Sequence, residues 1–324
     1  MLLLTIMSVF RPWAFQGSLS RKNYFEGWYF KHVSADRKQV WSFIPGVSLA
    51  PEGRHAFGQV LNGRTGESHI FNYAVEAFSA SRKELNVDIG QSNFTKQGIA
   101  LELQNNSKKI SGNISYASQE PYPSSRFNPG IMGWYSFVPF MECKHGVVSM
   151  YHTLKGGLRI GDTYIDFNDG TGYIEKDWGS SFPESWVWLH CNTFDSSHTS
   201  FTFSVAKIPW LGSYFIGFIS FLKIDGKFIN LSTWSKARIE KLDYHDNKLK
   251  IRITNNKYIL EVEALNNQAG ALKAPILGSM TRIIKETVDA SIELKLSDYS
   301  GKTLFQDKGT RAGMELIEQI LNYF

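Results

Sequence analysis

The segment 173–179, Tyr-Ile-Glu-Lys-Asp-Trp-Gly, holds residue types that could do acid–base chemistry. In an extended chain alternate side chains share a side, so Tyr173, Glu175 and Asp177 would lie together. Two carboxylates on one face disfavour each other's ionised form, and the adjacent Trp178 excludes water. One carboxyl could therefore stay protonated near neutrality and serve as a general acid. The alternative is a salt-bridged turn, in which a lysine or arginine neutralises the acid.

A similar combination stands near the start of the chain, at 24–31, Tyr-Phe-Glu-Gly-Trp-Tyr-Phe-Lys. If residues 24–33 form a strand, Glu26 shares one face with Trp28 and Phe30. Both faces of this strand are aromatic, so we expect both to be covered. An acid among large rings must be paired, hydrogen-bonded or kept neutral. Glu26 is therefore either a second acid candidate or one half of a structural ion pair.

A third segment, 186–192, alternates aromatic and polar residues with apolar ones. One strand face would show Trp186, Trp188, His190 and Asn192. A histidine that faces the same way as two tryptophans is more often a satisfied core residue than a catalyst.

The segment 133–142 again combines an acid with aromatic residues, and His145 and His152 follow it. These histidines lack metal-site spacing with the other candidates, and the sequence contains no His-Glu-x-x-His. It also contains no Gly-x-Ser-x-Gly elbow and no phosphate-binding loop. We expect neither a metal nor an organic cofactor.

Composition narrows the class of protein. The 324 residues are 43% hydrophobic, 20% charged and 14% aromatic, which fits a globular protein with a lined cavity or a thick β-core. The net charge of +5 is scattered, so nucleic acid is an improbable partner. Cys143 and Cys191 are better interpreted as buried thiols than as a disulfide, although one bridge is possible. The apolar opening 1–7 predicts a disordered lead or upstream start rather than a signal peptide, and hence a cytoplasmic protein.

The elements that position these residues are predicted to be β-strands. Period-two alternation dominates, and Asn105-Asn106 and Asn255-Asn256 are typical of hairpin turns. These turns are 150 positions apart and Trp28 and Trp188 are 160 apart, which favours two copies of one β-unit. The aromatic surplus favours antiparallel barrels over sandwiches.

We therefore predict an all-β protein with two domains, 9–165 and 166–324. Helical periodicity is confined to the C-terminus, where one short helix would place four apolar residues on one face. They are Met314, Ile317, Leu321 and Phe324.

Several motifs together resemble the tocopherol cyclase family, over residues 20 to about 315. The matching segments are Phe25–Lys31, Gly133–Tyr135 with Pro139 and Glu142, Glu175–Gly179 with Phe182-Pro183, Trp186–Trp188 with Cys191-Asn192, and Ala312–Glu315. The resemblance implies a pair of lipocalin-like (calycin-like) β-barrels. It also implies an acid-catalysed cyclisation, in which a protonated isoprenoid tail is trapped by the phenol oxygen of a prenylated quinol to form a chromanol.

The resemblance assigns roles to the candidate residues. The acid candidates are Glu26, Glu175 and Asp177, and His190 or Tyr173 could relay the phenolic proton. The residues expected to bind the ligand or shield the cation are Trp28, Tyr29, Trp134, Tyr135, Trp178, Trp186, Trp188 and Asn192. The plant pattern has asparagine where this chain has Asp177.

Two other functions remain open. The protein could be a non-catalytic lipocalin-like carrier of an isoprenoid or other apolar ligand, or the tryptophan motifs could be purely structural. No organic cofactor is implied by proton-driven cyclisation. An apolar substrate would come from a membrane, so transient contact with a membrane surface is plausible.

Overall fold

The structure is a computed structural model that describes residues 9–139 and 141–324. The predicted disordered lead at 1–7 lies outside the described residues.

Strands account for most of the described chain. The first sheet contains β1 (Phe25–Val33), β2 (Val40–Ser48), β3 (His55–Asn62), β4 (Ser68–Ala74), β5 (Phe78–Ala80), β6 (Asn86–Ile89), β7 (Ser92–Thr95), β8 (Gly98–Gln104), β9 (Lys109–Glu120), β10 (Cys143–Ile160), β11 (Thr163–Asp166) and β12 (Thr171–Gly179). The second sheet contains β13 (Trp186–Cys191), β14 (Ser200–Trp210), β15 (Ser213–Ile224), β16 (Lys227–Asn230), β17 (Arg238–His245), β18 (Lys248–Thr254), β19 (Ile259–Leu265), β20 (Gly270–Ile276), β21 (Ser279–Ser297) and β22 (Thr303–Leu316). Short 3-10 helices cover Val75–Ala77, Gly133–Phe137, Thr233–Ser235 and Glu318–Tyr323.

The two sheets share most of their topology, although the first has 12 strands and the second has 10. The first runs β4-β3-β2-β1-β12-β10-β9-β8-β7-β6-β5, and the second runs β16-β15-β14-β13-β22-β21-β19-β18-β17. In each sheet, the first four strands in chain order form a meander. The first strand of this meander also pairs with the last strand in chain order: β1 with β12, and β13 with β22. The prediction of a nearly all-β protein built from antiparallel strands is confirmed. Closure of each sheet into a barrel stays a prediction.

The chain divides into two units. Unit 1 comprises the described residues up to 62 together with 67–182 and 272–283, and unit 2 comprises 63–66, 183–271 and 284–324. This division differs from the expected boundary at 165/166. The reason is that β12, which lies beyond that boundary, pairs with both β1 and β10 in the first sheet.

The segment 272–283 joins unit 1 through several hydrogen bonds. Ser48 Oγ donates to Gly278 O at 2.6 Å, and Leu277 N donates to Ser181 Oγ at 2.8 Å. Gln59 exchanges two hydrogen bonds with the backbone of Lys273, at 2.8 and 2.9 Å. This contribution from a distant part of the chain has no counterpart in the sequence analysis.

The predicted hairpin turns are present, but the tryptophan spacing was misleading. The two Asn-Asn turns join β8 to β9 and β18 to β19, which are equivalent positions in the shared topology. Trp28 belongs to the core of unit 1, whereas Val187 and Leu189, the neighbours of Trp188, belong to the core of unit 2. Trp28 therefore lies on the core face of its sheet, whereas Trp188 lies on the face away from the core of its own sheet. A shift of one residue along a strand reverses the face.

The C-terminal helix is only partly as predicted. Met314 lies in β22, which pairs with both β13 and β21, and only Glu318–Tyr323 is helical, as a 3-10 helix. Strand pairing on both sides overrides the helical periodicity of this segment. Ile320 is the buried residue of the short helix.

Both cysteines are free thiols; Cys191 is buried and Cys143 is half-buried. Within 9–139 and 141–324, no helix is long and apolar enough to cross a membrane.

Candidate functional site

Glu26 lies on the core face of β1 and forms a buried ion pair with Lys176 of β12. Both side chains are fully buried. The carboxylate also accepts hydrogen bonds from Gln16 N at 2.8 Å, from Gly17 N at 3.0 Å and from the Tyr24 hydroxyl at 2.5 Å. Three neutral donors and the Lys176 cation thus contact this carboxylate. The geometry therefore favours the structural ion pair over the acid for Glu26.

Lys176 is held between two indole rings. Its Nζ lies 4.8 Å from the ring centroid of Trp28 and 4.7 Å from that of Trp178. It also donates a hydrogen bond to Ala14 O. Burial lowers the pKa of Lys176 to about 8, although the neighbouring Glu26 carboxylate acts in the opposite direction. Both tryptophans thus stabilise a cation of the protein itself.

The opposite face of the same strands carries a connected group of acid–base residues. The cross-strand register places His145 of β10 directly beside Asp177, and Val147 beside Glu175. His145 Nδ1 lies 2.9 Å from Asp177 Oδ1, and His145 Nε2 lies 3.5 Å from Glu175 Oε2. The Tyr173 hydroxyl donates to Glu175 Oε2 at 2.6 Å. We call Tyr173, Glu175, His145 and Asp177 the acid cluster.

The two carboxyls of the acid cluster differ in exposure. The Glu175 side chain is 5% exposed and that of Asp177 is 26% exposed. Asp177 stands opposite Gly27 of β1, where an added Cβ would have its nearest neighbour, a methyl of Ile44, at 3.8 Å. The absence of a side chain at Gly27 leaves space beside the Asp177 carboxyl. Asp177 is therefore the more accessible of the two carboxyls.

Neighbouring groups complete this face of unit 1. Tyr29 stands opposite Glu175 and Lys31 opposite Tyr173, and both are buried. Cys143 Sγ lies 4.0 Å from Asp177 Oδ1. Burial is the largest cause that raises the pKa of this thiol, and the Asp177 and Glu142 carboxylates raise it further.

The acid cluster also has the donor set of a metal site. One ligand atom each from His145, Glu175 and Asp177 lies within 4.8 Å of the others. Nitrogen and carboxylate oxygen together suit zinc or another transition metal ion. This set has no signature in the sequence because strand pairing, and not short spacing along a helix, brings the residues together.

In unit 2 three of the predicted residues, Trp186, Trp188 and His190, share one face of β13, and all three are buried. Trp186 Nε1 donates to Glu315 Oε2 at 2.7 Å. His190 Nδ1 lies 3.1 Å from both Phe201 O and the Thr202 hydroxyl. Asn192 follows the strand and is 3% exposed.

The pair Trp134 and Tyr135 lies in the 3-10 helix Gly133–Phe137, with its rings stacked at a centroid distance of 4.1 Å. Trp134 is half exposed. This segment reaches the acid cluster through Met132, whose Sδ accepts a hydrogen bond from His145 N at 3.2 Å.

Comparison with known proteins decides the family. Residues 91–317 match the family model described as "Tocopherol cyclase-like". The chain belongs to the tocopherol cyclase-like family. The resemblance inferred from the sequence motifs is thereby confirmed.

Two plant relatives illustrate the distance within the tocopherol cyclase-like family. The chain is 24% identical over 200 residues to "Probable tocopherol cyclase, chloroplastic" of Oryza sativa subsp. japonica. The aligned region covers 57% of this chain and 41% of the relative. The chain is 25% identical over 171 residues to "Tocopherol cyclase, chloroplastic" of Zea mays, covering 51% and 36%. The match thus spans less than half the length of either relative.

Solved structures support the fold alone. CghA has a TM-score of 0.55 at 11% identity, with 90% of this chain and 88% of that chain covered. Kievitone hydratase from Nectria haematococca has a TM-score of 0.51 at 10% identity, with the same coverages.

His145 is the residue of the acid cluster that the sequence does not identify. It lacks metal-site spacing with the other candidates, yet it contacts both carboxyls of the cluster. Only a knowledge of strand register could identify it, because β10 and β12 bring it beside Asp177.

Proposed function

We propose that this protein is a cyclase that protonates an alkene in the tail of a prenylated quinol and closes a chromanol ring. Asp177 is the proposed proton donor. The observation that supports this choice is that Asp177 contacts His145 and has no lysine or arginine within 4 Å among the described residues. Glu26, by contrast, is bound to Lys176, and Glu175 is nearly buried beneath the Tyr173 hydroxyl.

The acid cluster offers a consistent distribution of protons. In the tautomer whose hydrogen is on Nε2, His145 directs that hydrogen toward Glu175, and Nδ1 accepts a hydrogen bond from a protonated Asp177. Asp177 would transfer its proton to the alkene carbon, and the quinol oxygen would attack the resulting tertiary cation. The phenolic proton would then return to Asp177, directly or through His145. No bond to water forms, and the product is an isomer of the substrate.

The remaining candidate residues have proposed supporting roles. Tyr29 and Tyr173 would present aromatic surface near the acid, because a ring face stabilises a cation without attacking it. Trp134, Tyr135, Trp186, Trp188 and Asn192 stay ligand-binding candidates, and His190 stays a candidate relay. We further propose that each sheet closes into a lipocalin-like barrel, and that the protein is cytoplasmic and takes its substrate from a membrane surface by transient contact.

The test is a turnover assay of the purified protein with prenylated quinols. Mass spectrometry and absorbance would follow formation of a chromanol of unchanged mass. Asp177→Asn should lower kcat by about 10²–10⁴-fold, the usual contribution of a positioned general acid. Asp162→Asn, which changes an exposed aspartate in the turn between β10 and β11, is the matched control and should retain activity.

Full activity of Asp177→Asn would contradict the assignment, and loss of activity in Glu175→Gln alone would move the acid to Glu175. Chelator treatment should leave turnover unchanged, since a bound metal ion would hold both carboxyls ionised. The second candidate function, an apolar-ligand carrier, is favoured if the quinol binds tightly and no product forms.

A further inference from the structure

Unit 1 contains a cavity of about 550 Å³ whose wall includes His145 of the acid cluster but none of the cluster's other residues. It lies between the segment that precedes β1 and the loop that precedes β10. Its size falls in the range of small-molecule sites. Four cationic side chains line it, and no aspartate or glutamate does. They are Arg11, Arg21, Arg82 and Lys144.

The positive charge of this cavity is not neutralised by the protein. Within the part of the chain that the structure describes, none of the four cations has a carboxylate oxygen within 4 Å. Arg82 donates to Gly17 O at 2.6 Å, and Lys144 Nζ donates to Ser136 O at 2.9 Å. An arginine has five N–H donors and a lysine has three, so each retains donors for a ligand.

Glu26 is a buried acid that contacts the backbone of the cavity wall but is already paired. Glu26 accepts hydrogen bonds from Gln16 N and Gly17 N, which belong to residues of the cavity wall. Its own charge is balanced by Lys176. Several like charges in a partly enclosed site raise the local concentration of anions.

The cavity wall also contains apolar and aromatic side chains beside its polar ones. Phe15, Met132, Met141 and Trp178 line it together with the cations. The arginines favour a planar or tetrahedral oxyanion, to which they can donate two hydrogen bonds at once. We propose that this cavity binds an amphiphilic anion, namely a phosphate monoester of an apolar alcohol, with the phosphate on the cations and the apolar part against Met132 and Trp178.

This proposal goes beyond the cyclisation and does not depend on it, because binding is measured without turnover. Isothermal titration calorimetry of the full chain with geranyl monophosphate and with geraniol compares a phosphate with its neutral alcohol. We expect geranyl monophosphate to bind at least about tenfold more tightly than geraniol, and its affinity to fall with added salt. Measurable and equal affinity for the two compounds would overturn the proposal.

Two variants test the cations. Arg11→Gln and Arg21→Gln should each weaken geranyl monophosphate binding by about three- to tenfold and leave geraniol unchanged, as expected for the loss of one charge-assisted contact. Lys38→Gln removes an exposed cation outside the cavity and is the matched control. Unchanged phosphate affinity in both arginine variants would refute the site. Competition by inorganic phosphate on the unmodified protein supplies an independent test that does not require a folded variant.

The phosphate could belong to a soluble ester or to a lipid headgroup. Flotation with vesicles of phosphatidic acid in phosphatidylcholine, against phosphatidylcholine alone, separates the two sources. Binding to phosphatidic acid vesicles but not to geranyl monophosphate assigns the cavity to a headgroup, and the reverse assigns it to a soluble ester. Binding to neither compound overturns the proposal, whatever the outcome of the turnover assay. Asp177→Asn should bind geranyl monophosphate normally, which keeps failure of the cyclisation distinguishable.

Discussion

Replacing Lys176 by methionine should remove a large part of the stability of unit 1. The Nζ group is fully buried, pairs with Glu26, donates to Ala14 O and lies within 5 Å of the ring centroids of Trp28 and Trp178. Methionine is close to the aliphatic part of lysine in size and leaves the Glu26 carboxylate buried without a counter-charge. Breaking a buried ion pair in this way costs about 3–5 kcal/mol. That cost is comparable to the lower end of the total stability of a domain, about 5 kcal/mol.

The assay is urea-induced unfolding at pH 7, followed by tryptophan fluorescence and circular dichroism. The double variant Glu26→Gln/Lys176→Met removes both charges. Its loss of unfolding free energy should therefore be smaller than the sum of the two single-variant losses by at least about 2 kcal/mol. Lys38→Met is the control. Its partner Asp36 is exposed, as is Lys38 itself, so the loss should be below about 1 kcal/mol.

A loss below about 1 kcal/mol for Lys176→Met would refute this reasoning. So would strict additivity of the two single variants, because it would mean that Glu26 and Lys176 do not interact in the folded state.

Two further predictions concern the core of unit 1. Burial lowers the pKa of His32 to about 3. Between pH 6.5 and about 3, therefore, the unfolded chain binds a proton that the folded chain does not. The unfolding free energy falls as the pH falls through that window. His32→Phe should remove up to about 1.4 kcal/mol per pH unit of this slope in urea unfolding curves; a slope parallel to that of the unmodified protein would contradict the burial of a neutral imidazole. Gly172 stands between His32 and His152 on neighbouring strands, and a Cβ at this position would overlap the His152 ring. Gly172→Ala should therefore lower the unfolding free energy by about 1–3 kcal/mol, as measured by thermal unfolding. Gly27→Ala, with nothing closer than 3.8 Å, should cost less, and equal losses in the two variants would refute the steric argument.

The sequence predicted local structure well because alternation and turn chemistry are local properties. The faces of β1 and β13 and the Asn-Asn hairpins follow from period two and from the turn residues. The C-terminal segment was misjudged for the opposite reason. Its helical spacing was outweighed by pairing with two strands that are distant in the sequence.

The site was predicted in part, and the limit was strand register. Glu175 and Asp177 could be placed on one face from their spacing alone. Their partner His145 is 32 positions from Asp177, and Lys176 pairs with Glu26 across 150 positions. Periodicity assigns a residue to a face but does not identify its neighbour on the next strand. The choice between an acid and an ion pair was therefore open for Glu26 until the pairing of β1 with β12 was known.

The hairpin contribution of 272–283 to unit 1 has a consequence for biosynthesis. During translation the chain leaves the ribosome from its N-terminus, and residues up to 182 are synthesised well before the hairpin. Ser48, Gln59 and Ser181 obtain their partners only after residue 278 has emerged. By that time most of unit 2 has also been made. The order of synthesis is thus not the order of completion, and nascent unit 1 must remain incomplete on the ribosome for almost a hundred further residues.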